Sequence, residues 1–162
     1  MPGDSPGPRF ARQRSMYHSI LVPLDGSEFG EHALPHALSI AERAGATLQL
    51  VRVHVPVAPL YGGSELAADV ALDATVREQE SDYLGGVHKR LAGVPGVPAT
   101  PVLLDGPVAE AIHDQAVASR TDLVVMATHG RGPWSRLWLG SVADKVIRGA
   151  TVPVLVHRPV AG

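Results

Sequence analysis

The stretch "DLVVMATHGRGPWSRLWLGSVADKVIRG" (residues 122–149) decides the fold. It opens on a short, nearly continuous apolar run, 122–127, as expected of a strand covered on both faces. It closes on a short amphipathic helix, 141–149. There Ser141 reads as the N-cap, Asp144 stands at capping-box spacing and Gly149 is the stop. Between them lies a loop carrying Gly130, Gly132 and Gly140, together with Arg131, Arg136 and both tryptophans of the chain, Trp134 and Trp138. An ordinary strand-to-helix connection needs only a few residues and little glycine. So much bare backbone asks what the loop holds.

Outward from this unit the chain repeats the same alternation. Residues 19–25, "SILVPLD", form an apolar strand. The next helix has Leu34, Ala37, Leu38, Ala41 and Ala44 on one face, Ser27 as N-cap with Glu31 in the first turn, and Gly45 as the stop. Pro35 falls inside that pattern and is expected to kink the helix or displace its start. A second strand is expected at 46–55. A long helix is expected at 66–91, broken or loosened at Gly85 and Gly86. A third strand spans 99–105, and a helix follows with Pro107 in its first turn. Residues 152–158 close the chain as a fifth strand. Five strands alternating with four helices predict an α/β fold, a single open five-stranded parallel sheet with helices on both faces and right-handed crossovers.

With 162 residues, 45% of them hydrophobic and 19% charged, the chain fits one soluble domain large enough to bury its own core. A formal net charge of −2 gives no electrostatic footprint for nucleic acid. No apolar run approaches the roughly 18 residues of a membrane helix. The absence of cysteine excludes disulfides and thiol chemistry. These features suit a cytoplasmic protein. Residues 1–16, rich in Pro, Gly and Arg and without apolar periodicity, are expected to form a disordered tail ahead of the domain at 17–162.

Ligands of open α/β sheets bind outside the carboxyl ends of the strands, where the strand order reverses. The most economical order puts the first strand in the middle with the fourth beside it. Asp25 then faces the glycine-rich turn at 127–130. That pairing invites a sugar hydroxyl at the carboxylate and phosphates at the turn. A Walker A loop would need a lysine that "GRGPWSR" lacks, and a dinucleotide fingerprint would need glycine where Ser135 stands. What remains is backbone amides at Gly130 and Gly132, and a helix opened by Gly140-Ser141. The Ser141 hydroxyl serves either as a helix cap or as a phosphate contact.

The residues that carry these features resemble the universal stress protein (UspA) family over 17–158. The likeness rests on "ILVPLDGSEFGEHAL", "DGPVAEAI" and the stretch from residue 122 to "VPVLV". The family's nucleotide-binding members have Gly, two residues, Gly, nine residues, then Gly-Ser or Gly-Thr. Here the series is Ala127, two residues, Gly130, nine residues, Gly140-Ser141, so the spacing is complete and Ala127 is the one departure. The resemblance implies strand order 3-2-1-4-5, a Rossmann-like sheet of the adenine nucleotide alpha hydrolase type. It implies ATP, with Mg²⁺ where the phosphates require it. Asp25 would hold the ribose, Pro23 and Leu24 would line the pocket, and the Val53 backbone would meet the adenine edge. Gly130, Gly140 and Ser141 would cradle the phosphates, with Ala127 as the altered member, and Met126, His129, Arg131, Gly132 and Val142 complete the expected nucleotide-binding set. It also implies a homodimer through the last strand, from Val152 to His157.

Other features have plainer readings. His32 and His36 have the spacing of a metal pair but lack a third ligand, and read as solvated helix histidines. Trp134 and Trp138 read as a hydrophobic cover or a partner contact, and Arg131 and Arg136 as phosphate contacts or solvated loop residues. The implied function is a nucleotide-dependent sensor or adaptor that works through a protein partner. Two alternatives stay open: a slow ATPase, for which no dedicated base is evident, and a nucleotide-free dimeric interaction protein, for which Ala127 is the reason.

Overall fold

The computed structural model describes residues 15–56, 66–128 and 140–158. The strands are β1 (Ser19–Pro23), β2 (Thr47–His54), β3 (Ala99–Asp105), β4 (Leu123–Ala127) and β5 (Val154–His157), in one parallel sheet of order β3-β2-β1-β4-β5. The helices are α1 (Glu28–Glu31), α2 (Leu34–Ala44), α3 (Leu66–Leu91), α4 (Val108–Ala118) and α5 (Ser141–Gly149). The strand order is the expected one. Among the described residues no helix is long and apolar enough to cross a membrane. Residues 1–14 of the expected tail lie outside the described residues.

Strand alternation sorts the core into two layers. Ile20, Val22, Leu48, Leu50, Leu123 and Val125 face α2 and α3, where Ala37, Ala41, Leu84 and Val87 meet them. Leu21, Val51, Val124 and Met126 face α4 and α5, where Ile112, Ala116, Ala143 and Val146 meet them. Full burial of each Val, Leu, Ile or Met side chain among these contributes about 1.5–3 kcal/mol. Asp122 ties the two central strands at their start: its carboxylate accepts from the His18 N–H at 2.8 Å and the Ser19 N–H at 3.2 Å.

The sequence expectation needs four corrections. The first helix is two: α1 ends at Glu31, and Pro35 sits in the first turn of α2, where its missing N–H costs no helical bond. α3 runs unbroken through Gly85 and Gly86, because Leu84, Val87 and Leu91 anchor its second half on the sheet. Pro107 is the N-cap of α4 rather than a residue of its first turn. Gly140, at φ 87°, is the N-cap of α5, and Ser141 is its first helical residue; the Asp144 carboxylate bonds Arg148 instead of closing a capping box. Gly45 ends α2 in the left-handed conformation, as expected.

Gly149 has a second use beyond stopping a helix. A methyl group there would collide with the His113 ring, whose Nε2 lies 2.9 Å from the Val146 carbonyl oxygen. The glycine lets α5 close on α4 at this contact.

β1 and β2 pair from Ser19↔Thr47 through Pro23↔Val51. β1 and β4 pair only at Ile20↔Leu123 and Leu21↔Val124. Beyond those two pairs the central strands part, and the opening faces the carboxyl ends of the sheet.

Candidate nucleotide-binding site

A cavity of about 510 Å³ occupies that opening. Its wall on one side is the end of β1 and the following turn: Pro23, Leu24, Asp25 and Gly30. On the other it is the end of β4 and the start of α5: Met126, Ala127, Thr128, Gly140, Ser141 and Val142. Val51, Val53, Val55, Val108 and Ile112 make an apolar end toward β2 and α4. A volume of this size suits a small organic ligand, with few polar groups to orient it.

Asp25 is set by the turn that follows it. Its Oδ1 accepts from the Ser27 N–H at 3.0 Å and the Ser27 hydroxyl at 2.6 Å. The same hydroxyl accepts from the Gly30 N–H at 3.0 Å and so caps α1. Gly30 is bare for a reason, since a Cβ there would stand 2.5 Å from Asp25 Oδ1. These bonds fix the orientation of the carboxylate at the cavity wall.

Across the cavity, Gly140 takes a conformation open to glycine and delivers the chain into α5 with its first amides at the cavity wall. Ser141 stands one residue past the N-cap, at the cavity wall. Ala127 has ordinary strand backbone, and its methyl packs against the core layer of α2 and α3. The departure from glycine therefore introduces no backbone strain.

Pro23, Leu24, Asp25, Val53, Met126, Ala127, Gly140, Ser141 and Val142 all line this one cavity. His129, Gly130, Arg131 and Gly132 lie outside the described residues, as do Trp134, Arg136 and Trp138. His32 and His36 do not share a helix; both rings instead turn toward His157 of β5. Among the described residues no group of three ligands is placed to hold a metal.

Sequence reasoning passed over a ladder of charged groups on the α3 side of β2. Arg52 Nη2 meets Glu80 Oε1 at 2.9 Å. Glu80 Oε2 lies 2.7 Å from His54 Nδ1, and His54 Nε2 lies 3.2 Å from Asp73 Oδ1. Asp105, at the end of β3, bonds Arg77, which holds its carboxyl below the usual carboxylate range. Arg52 and Glu80 line the cavity, and the guanidinium stands over the Tyr83 ring with its carbon 6.0 Å from the ring centre. Burial first, and then the charge of Glu31, raises the Tyr83 phenol above its ordinary range, so it stays protonated. The signal was present in "LVRVHV", where two basic residues alternate with valines on the buried side of a strand.

Residues 16–158 match the model of the Universal stress protein family. The chain belongs to the universal stress protein family. A universal stress protein of Thermus aquaticus is 36% identical over 143 residues, 88% of this chain and 100% of the relative. One from Methanocaldococcus jannaschii is 34% identical over 144 residues, 89% of this chain and 84% of the relative. Among solved structures, a universal stress protein from Lactobacillus plantarum superposes with a TM-score of 0.74 at 24% identity, covering 86% of this chain and 97% of its own. An Arabidopsis thaliana member with AMP bound gives 0.60 at 17% identity, covering 89% and 93%. A universal stress protein in complex with cAMP gives 0.56 at 24% identity, covering 88% and 97%. What these structures share with the chain is the fold of the universal stress protein sheet.

Proposed function

We propose that the cavity binds an adenine nucleotide, ATP in the first instance, and that this universal stress protein is a nucleotide-dependent sensor or adaptor with little or no catalysis. The observation that carries the reading is the opposition of Asp25 and the Gly140–Ser141 start of α5 across one cavity. The carboxylate suits ribose hydroxyls, and the helix start suits phosphate. The valine-lined end suits the flat apolar base, beside the Val53 backbone. Met126, Ala127, Ser141 and Val142 would flank the phosphates, with His129, Gly130, Arg131 and Gly132 completing the series by sequence. Mg²⁺ would accompany the phosphates as their counter-ion. Relatives of the same fold, one with AMP and one with cAMP, lend support to the ligand class.

The output of such a module is a contact with another protein. β5 lies at an edge of the sheet, so pairing with a second copy through Val152 to His157 would satisfy its open backbone. A cytoplasmic setting accords with the cysteine-free composition.

The test is to denature the purified protein, analyse the released small molecules by chromatography, and titrate ATP calorimetrically into wild type and Asp25→Ala. Adenine nucleotide near one per chain, with affinity lost in the variant, is the expected result. No released nucleotide and no binding heat at several temperatures would overturn it.

A further inference from the structure

We infer that Arg52 is a specificity-determining residue that reads the ribose hydroxyls opposite Asp25. The proposal rests on the nucleotide reading and adds a second group to the sugar end of the site.

Arg52 is the one cationic side chain among the described residues that line the cavity. Its guanidinium lies against the Asp25–Gly26 turn: a Cβ on Gly26 would stand 3.1 Å from Nη1. Gly26, at φ 81°, both makes the turn and leaves that space. The two ends of the guanidinium are differently employed. Nη2 is held by Glu80, and Glu80 is itself fixed by His54, which is 1% exposed. Nε is buried with no hydrogen-bond partner in the structure. A buried donor without an acceptor is costly, and native proteins rarely tolerate one.

Arg52 and Glu80 also line a smaller hollow of about 230 Å³, with Gly26, Gln79 and Tyr83. The two residues thus stand between cavity and hollow, with the Nη1 end of the guanidinium at the Asp25–Gly26 turn. Beside it stands a carboxylate that accepts. A vicinal diol needs both: its O–H groups donate to Asp25, and its oxygens accept from Arg52. Tyr83 beneath the guanidinium, and the Glu80–His54–Asp73 ladder behind it, hold the planar fork in place. A lysine ammonium cannot reproduce that fork. The ligand class is therefore a nucleotide whose 2′- and 3′-hydroxyls are both present and free.

The experiment is calorimetric titration of the whole chain with AMP, 2′-deoxy-AMP and 3′-deoxy-AMP, in wild type, Arg52→Gln and Arg52→Lys. Wild type is expected to favour AMP over each deoxy analogue by at least about tenfold. Arg52→Gln is expected to lose AMP affinity while changing deoxy affinity little, so that the preference collapses, and Arg52→Lys is expected not to restore it. Circular dichroism and thermal melts establish that the variants are folded. Glu80→Gln, which keeps Arg52 but loosens its anchor, provides a second test and should weaken the same preference. Nucleotide binding with an unchanged ribose preference in folded variants would overturn the role of Arg52 and leave the nucleotide reading standing. No binding of AMP or ATP by wild type would overturn both.

Discussion

His36, in the first turn of α2, lies with its ring centre 4.3 Å from that of His157 at the end of β5. His32 approaches the same ring at 6.4 Å. Desolvation, then the proximity of His36 and His32, pushes the His157 imidazole below its ordinary value of about 6.5. The consequence for stability has a definite sign. As pH falls below about 6.5 the unfolded chain takes up its proton before the folded one, so stability declines from there downward until His157 is protonated in the fold as well. NMR titration is expected to give a His157 midpoint below 6.5 that rises in His36→Gln. A midpoint at or above 6.5 in the wild type would refute this account.

Gly149→Ala places a methyl group into the His113 ring at the α4–α5 contact. The ring must move, and its bond to the Val146 carbonyl is lost with it. Overpacking of this kind costs about 1–3 kcal/mol. Denaturant unfolding should show that loss, and the double variant Gly149→Ala/His113→Ala should recover part of it. Equal stability of wild type and Gly149→Ala would mean that α5 can move away freely.

Two substitutions separate the walls of the cavity. Gly30→Ala should displace Asp25, because the new Cβ would overlap the region of Oδ1, and nucleotide affinity should fall about tenfold or more. Ala127→Gly should change affinity by less than about threefold, since the methyl packs into the core layer, and should cost about 1 kcal/mol of stability. A large gain in affinity on Ala127→Gly would instead make that methyl an obstruction to the ligand.

The parallel sheet was legible because apolar runs alternate with helix periods from β1 to β5, and the full order of its strands was legible through the family resemblance. Asp25 and Gly140 could be placed because they end one element and begin another. Arg52 and Glu80 could not. Their meeting depends on how α3 lies across β2, and the sequence of α3 carries no signal of that orientation before Leu84. The convergence of His36 on His157 was hidden for the same reason, since it joins the first crossover to the last strand. Ser141 was misplaced by one residue because "GS" before an apolar period serves as Gly N-cap or Ser N-cap alike.

The early parting of β1 from β4 has a consequence for how such a protein diversifies. The cleft is a product of strand geometry, and neither core layer has to be hollowed out to make it. Val51, Ile112, Met126 and Ala143 each serve the α4 and α5 core layer and the cavity wall at once. The floor of the cleft is therefore bound to the fold, and what it can hold is adjusted at its polar rim, where Asp25, Arg52, Glu80 and Ser141 stand.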